Sequence, residues 1–103
     1  MPRLHAPELC DAEVVSSLRG HLLGKRISEP RAYESLIEYV RLGLVRHGHG
    51  LLLARVLQLH RNFSAQDGFY VALAERLRLP LLTTDLALRR AIKQHVGVEL
   101  LPA

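Results

Sequence analysis

The fold is decided by residues 62–85, whose sequence is NFSAQDGFYVALAERLRLPLLTTD. Ser64 followed three residues later by Asp67 is a helix-start pattern, because the two side chains can satisfy free amides of a first helical turn. The next residues, 69–74, are apolar on nearly every side, and a helix of that kind is buried. Pro80 cannot continue a helix, so we predict that this one ends just before it.

A short apolar run follows the proline. Residues 81–84 fit a buried strand, and Asp85 stands where that strand ends and the next helix begins. Similar runs at residues 44–47 and 98–101 predict two more short strands between helical segments. This alternation favours an α/β fold, with a short parallel sheet flanked by helices. Ligands bind at the carboxyl ends of strands in such sheets, so Asp85 is well placed for chemistry.

Helical spacing of apolar residues predicts four further helices, at about residues 6–23, 28–42, 51–60 and 86–93. In the first, Pro7 would lie near the first helical position. The second starts at Ser28, and we predict that its apolar stripe packs on the body of the protein.

Composition narrows the class of protein. The 103 residues suffice for one domain, and 49% of them are hydrophobic, which favours a packed globular chain. No apolar run approaches the roughly 20 residues that span a bilayer, and the start of the chain lacks the apolar segment of a secretion signal. The single cysteine, Cys10, agrees with a reducing compartment, so we expect a cytoplasmic protein without membrane contact. The formal net charge of +4 favours polyanionic partners such as nucleic acid, but an ordinary solvated surface can have the same charge.

Three acidic residues have two open interpretations each. Asp67 and Asp85 can be simple helix caps, and Glu13 can be a solvated helix residue. Together, the three carboxylates could converge on a hard divalent cation such as Mg²⁺, in a cluster suited to phosphodiester hydrolysis. Thr84 could bind a phosphate or a metal-bound water, or simply be a buried strand residue. Asp11 lies about 200° from Glu13 around the helix, so we expect it to interact with first-turn amides instead.

The histidines do not predict a structural zinc site. His47 and His49 could supply two imidazoles, but no cysteine or acid lies nearby at the spacing of zinc ligands.

The sequence resembles the PIN-domain ribonucleases, and among them the VapC toxins of bacterial toxin–antitoxin pairs. Three segments carry the resemblance: residues 6–14, residues 67–75, and residues 80–85 followed by Leu88. The separations also fit, with 54 residues from Glu13 to Asp67 and 18 from Asp67 to Asp85.

The resemblance implies an α/β fold and an acidic pocket that binds Mg²⁺ or Mn²⁺. Glu13, Asp67 and Asp85 would be the catalytic and metal-binding acids, and Thr84 would be auxiliary. It further implies endonucleolytic cleavage of structured RNA such as tRNA or rRNA by a metal-activated water, dimerisation, and inhibition by a small antitoxin.

One departure from the family pattern concerns the start of the chain. PIN domains begin with a strand that ends in an aspartate, whereas this chain starts almost directly on the helix that carries Glu13. We therefore expect residues 1–103 to form a single, partial PIN-like domain, truncated at its N-terminus and lacking the first strand. The chain would then be a shortened relative that could lack activity, receive the missing element from another chain, or belong to a reading frame that begins further upstream.

The missing strand has consequences for assembly and function. A sheet left with an open edge invites pairing with another molecule, so we expect a dimer or strand exchange between protomers. One alternative function is a catalytically impaired PIN-derived module that binds an antitoxin or a full-length relative without cutting RNA. Another is an unrelated basic α/β domain whose acids are all helix caps.

Overall fold

The computed structural model describes residues 3–82, 86–95 and 97–99. These residues form two strands and five helices, in the order β1 (His5–Pro7), α1 (Leu9–Leu23), α2 (Glu29–Arg41), β2 (Val45–His47), α3 (Leu53–Gln58), α4 (Ala65–Leu77) and α5 (Leu86–Lys93). The two strands pair in parallel, which confirms the predicted α/β, PIN-like class with a short parallel sheet and flanking helices. The chain divides into two compact units, an N-terminal unit of residues 1–47 and a C-terminal unit of residues 48–103.

The segment before α1 differs from the prediction. We predicted that the first helix would include Pro7, but Ala6 and Pro7 are buried residues of β1, and α1 starts at Leu9. The reason is long-range pairing: β1 lies alongside β2, and the Glu8 N–H extends the ladder by donating to the His47 carbonyl at 2.9 Å. A strand thus precedes α1, and its three residues include no acid. The expectation that a further strand with an aspartate is missing stays a prediction, as does the single domain.

Helix α2 begins where the sequence predicts, but its apolar stripe is less buried than predicted. The Ser28 hydroxyl accepts a hydrogen bond from the Arg31 N–H at 3.2 Å, and a proline stands in the first turn. The predicted packing of the whole apolar stripe is wrong, because only Ala32 of that stripe is buried. Three of its large side chains remain more than half exposed: Tyr33, Ile37 and Val40.

Helix α4 is the buried helix that the sequence predicts. Its N-cap is Ser64, whose hydroxyl accepts a hydrogen bond from the Asp67 N–H at 3.1 Å, and its C-cap is Arg78, in the left-handed conformation with φ 54°. Helix α3 lies so close that a Cβ added at Gly68 would be 3.0 Å from Val56 Cγ1. The core of this unit consists of Leu52, Val56, Leu59, Phe63, Val71, Ala72, Leu73, Ala74, Leu81, Leu88 and Ile92.

The end of the chain is described in part. The Leu81 N–H donates to the Glu99 carbonyl at 2.8 Å, which pairs one residue from each of the two predicted strands at 81–84 and 98–101. The residues of the predicted strand 81–84 that follow Leu82 lie outside the described residues, and so do those of the predicted strand 98–101 that follow Glu99. Helix α5 has the predicted bounds. In the part of the chain described, no helix is both long and apolar enough to cross a bilayer.

Candidate functional site

Glu13 is positioned by the first strand and the helix that follows it. The carboxyl ends of the parallel strands β1 and β2 meet at one edge of the sheet, and α1 starts two residues after β1 ends. Glu13 is the fifth residue of α1 and is exposed to solvent. With a rise of about 1.5 Å per residue, its Cα lies roughly 6 Å along α1 from the first helical residue. Glu13 is therefore exposed to solvent in the first half of the helix that follows the carboxyl end of β1.

Asp67 is positioned by the first turn of α4. Its backbone N–H is held by the Ser64 hydroxyl, and its side chain is partly buried. An anionic side chain in the first turn is favoured by the helix macrodipole. The hydrogen bond from Asp67 to Ser64 confirms half of the predicted capping box. A hydrogen bond from one backbone amide would use only part of the capacity of the carboxylate to accept hydrogen bonds.

The structure describes two of the four residues predicted to form the site. Glu13 belongs to the N-terminal unit and Asp67 to the C-terminal unit, whereas Thr84 and Asp85 lie outside the described residues. Within the described part of either unit, no three His, Cys, Asp or Glu side chains are grouped to hold a metal ion. The assignment of Glu13, Asp67, Asp85 and Thr84 to one site therefore stays a prediction.

The donor chemistry of these residues fits the predicted cation. Mg²⁺ takes oxygen ligands and is commonly held by one or two protein carboxylates together with substrate phosphates and waters. Glu13 is exposed and Asp67 only partly buried, so neither carboxylate is sealed in the core. Both carboxylates could thus serve as ligands for a hard divalent cation.

Asp11 forms a cluster that the sequence did not predict. Its carboxylate accepts hydrogen bonds from the Tyr39 hydroxyl at 2.6 Å and from the Arg46 Nε at 2.7 and 2.9 Å. The bond from Arg46, and then the bond from Tyr39, lower the pKa of Asp11. Burial and the bond to Asp11 raise the pKa of Tyr39. Asp11 thus joins α1 to α2 and β2, where we had expected contacts with first-turn amides.

A second cluster, which we call the Glu75 cluster, consists of Arg55, Glu75 and His95. Arg55 donates to both carboxylate oxygens of Glu75, at 2.8 and 2.9 Å, and His95 Nε2 contacts Oε2 at 2.7 Å. Hydrogen bonding by Arg55 is the main cause that lowers the pKa of Glu75, and His95 adds to it. The cluster links α3, α4 and the segment after α5. Its members lie 20 residues apart in sequence, so no local pattern could have revealed it.

Comparison with known proteins decides the family. Ribonuclease VapC9 of Mycobacterium tuberculosis is 34% identical over 100 residues, which cover 97% of this chain and 79% of VapC9. The chain belongs to the VapC family of PIN-domain ribonucleases. Ribonuclease VapC12 of the same organism is 31% identical over 97 residues, covering 94% of this chain and 75% of VapC12. Ribonuclease VapC1 is 41% identical over 88 residues, covering 84% of this chain and 66% of VapC1.

These relatives confirm the predicted recognition. These relatives are named as VapC ribonucleases, and the similarity extends over nearly the whole of this chain. No model of a known protein family matches the chain. Membership in the VapC family therefore depends on the individual relatives.

Proposed function

We propose that this VapC-family chain is the toxin of a toxin–antitoxin pair and an endoribonuclease, dependent on Mg²⁺ or Mn²⁺, that cleaves structured RNA such as tRNA or rRNA. The observation that carries the proposal is the 34% identity to a protein named as a ribonuclease, over 97% of this chain. A cognate antitoxin would inhibit the enzyme. Access to tRNA and rRNA would require that the protein works in the cytoplasm.

Three acids have proposed roles in this reaction. Glu13, Asp67 and Asp85 would hold the cation through carboxylate oxygens, and Thr84 would orient a phosphate oxygen or a water through its hydroxyl. When bound, a divalent cation supplies Lewis-acid activation of water and neutralises charge that develops on the phosphate. A carboxylate of the three that is not fully engaged would accept the proton of the attacking water.

The charge of the C-terminal unit supports an RNA substrate. Its sequence has seven Lys and Arg residues against four acids, so most of the positive surplus of the chain belongs to this unit. Arg90 and Lys93 lie in the last turn of α5 with exposed side chains. Cationic side chains neutralise backbone phosphates and so favour RNA binding of low sequence specificity. The same helix follows Asp85 in sequence, so these cations would contact phosphates close to that acid.

The test is cleavage of a labelled mixture of tRNA and rRNA by the purified chain with Mg²⁺ or Mn²⁺, and with EDTA as a control. We expect metal-dependent cutting that falls about 100-fold or more in Asp67→Asn and in Asp85→Asn, since each removes a charged carboxylate from the site. Glu29→Gln, which changes an exposed acid in the first turn of α2, is the matched control and should cut like wild type.

Three results would contradict the proposal. Cutting that persists in EDTA would exclude metal dependence, and undiminished cutting by both aspartate variants would exclude the proposed acids. RNA or antitoxin binding without any cutting would identify the chain as a binding module, the alternative function.

Assembly is a separate part of the proposal. We expect a dimer or a strand-exchanged oligomer, because the two strands that pair within the described residues have outer edges that could pair with another chain. Sedimentation equilibrium should give a mass of at least twice 11.6 kDa, and a monomer at all concentrations would refute this expectation.

A further inference from the structure

Two imidazoles meet across the β1–β2 pair. His5 Nδ1 lies 2.9 Å from His47 Nε2, with ring centroids 5.2 Å apart and ring planes tilted by 35°. The parallel register places His5 opposite Val45 and Pro7 opposite His47. Since side chains two residues apart on a strand share a face, the two histidines project from the same face of the sheet. His5 is exposed and His47 is partly buried, so solvent reaches the pair.

The contact between the rings brings two imidazole nitrogens together, and in it the lone pair of the accepting nitrogen faces the N–H of the other ring. A hydrogen bond between two imidazoles needs one ring to donate N–H and the other to accept through a neutral nitrogen. A metal ion can take the place of the shared proton if both nitrogens direct lone pairs at it. The exposed His5 ring can turn to do so without disturbing the core.

The separation of the two nitrogens indicates which metals fit. Imidazole nitrogen suits Zn²⁺, Cu²⁺ and Ni²⁺, and tetragonal geometry is typical of Cu²⁺ and Ni²⁺. With metal–nitrogen bonds of about 2.0–2.1 Å, two nitrogens in adjacent positions of a square plane lie about 2.9 Å apart, against about 3.3 Å in a tetrahedron. The observed distance of 2.9 Å, which is also an ordinary hydrogen-bond length, is compatible with two adjacent positions of a square plane.

We infer that His5 and His47 form a two-imidazole binding site for Cu²⁺ or Ni²⁺, with the remaining positions taken by water. Pro7 and Val45, which share this face, have no side-chain ligand to add. The site is chemically different from the proposed carboxylate site, since Mg²⁺ prefers oxygen ligands. A bound ion would tie β1 to β2 and thereby stabilise the strand pair from which α1 starts.

The test is titration of the metal-free chain with Cu²⁺ alone. Calorimetry measures the affinity and the number of ions bound, and electron paramagnetic resonance identifies the ligand atoms. We expect one ion per chain, with hyperfine splitting from two nitrogen ligands. Affinity should fall at least tenfold in His5→Ala and in His47→Ala. The control is His60→Ala, which changes an exposed histidine of the C-terminal unit whose Nδ1 contacts the Leu57 carbonyl. This variant should bind like wild type.

Folding and specificity are tested in parallel. His5→Gln and His47→Gln preserve a polar side chain, and their circular dichroism should match wild type while Cu²⁺ affinity is lost. The inference is overturned if His5→Ala binds Cu²⁺ as wild type does, or if the control loses binding equally. RNA cleavage does not enter these measurements, so the result is independent of the proposed function.

Discussion

Replacing Glu75 by glutamine should destabilise the fold more than any exchange of an exposed acid. The Glu75 side chain is 19% exposed and accepts bonds from Arg55 and His95. Arg55 is 44% exposed and regains water when the carboxylate is lost, whereas His95 is only 15% exposed, and glutamine offers one accepting oxygen in place of the two that these side chains use. A polar group that is left unpaired in such a position costs about 1–3 kcal/mol, and weakening the bidentate arginine bonds adds to this. We expect a loss of about 2–3 kcal/mol in the free energy of unfolding.

The assay is urea denaturation of the substituted chain beside a control variant. Glu34→Gln is the control, because Glu34 pairs with Arg31 at 3.3 Å while both side chains are more than half exposed. Exposed pairs of this kind contribute at most about 0.5 kcal/mol. A double-mutant cycle of Glu75→Gln with Arg55→Ala should give a favourable coupling energy. If Glu75→Gln costs no more than Glu34→Gln, the energetic role given to the Glu75 cluster is refuted.

The pH dependence of stability supplies a second readout for the same substitution. The fold lowers the pKa of Glu75, chiefly through Arg55, from an ordinary value of 4.5. The ionised side chain therefore stabilises the folded state fully above that ordinary value, and the contribution is lost as the pH falls through the lowered folded value. Wild-type stability should decline more steeply with acidification than that of Glu75→Gln. Equal slopes for the two proteins would contradict the assigned shift.

Three further contacts are tested by substitution, one of them with a matched control. Gly68→Ala should destabilise by about 1 kcal/mol in thermal denaturation, because the new Cβ meets the α3 valine at 3.0 Å and overpacking outweighs the gain in helix propensity. The control is Gly20→Ala, where the added Cβ has no described atom within 4 Å; it should stabilise the protein by roughly 0.5–1 kcal/mol. Equal effects of Gly68→Ala and Gly20→Ala would contradict the close contact at Gly68. Ser64→Ala should cost about 1 kcal/mol in urea denaturation, and no change would argue against the cap. Asp11→Asn should lower the pKa of Tyr39 in an absorbance titration while burial still keeps it above its ordinary value, and an unaltered midpoint would refute the contact.

Local signals in the sequence predicted the helices well. The sequence places helix starts at Ser28, which is followed by an early proline, and at Ser64, and in both cases the serine hydroxyl accepts a first-turn N–H. The apolar run after Asp67 predicted a buried helix, and Val71 within it has no exposed surface. The bounds of α5 were also correct. In each case, the physical cause lies within a few residues of the element that it determines.

Contacts between distant residues explain what the sequence did not reveal. β1 is three residues long, too short for a periodic pattern, and it exists because it pairs with β2 about 40 residues later. The partners of Asp11 lie 28 and 35 residues away, on α2 and β2. The candidate site was predicted from the family resemblance together with Asp67 at a helix start and Asp85 at a strand end. Similarity to the VapC relatives supports the family and leaves the roles of the individual acids to be tested.

Helix α4 contains both Asp67, one of the proposed metal-binding acids, and Glu75. Asp67 and Glu75 are eight residues apart on it, about 12 Å along the helix axis. Four consecutive residues between them, from Val71 to Ala74, are buried, so α4 cannot turn about its axis without opening the core. The position of the Asp67 carboxylate is therefore fixed by core packing and by the Ser64 cap, and not by the Glu75 cluster. It follows that Glu75→Gln should lower the free energy of unfolding, while the protein that remains folded keeps the proposed metal affinity and cleavage rate. Asp67→Asn should instead lower the metal affinity and the cleavage rate and leave the free energy of unfolding nearly unchanged.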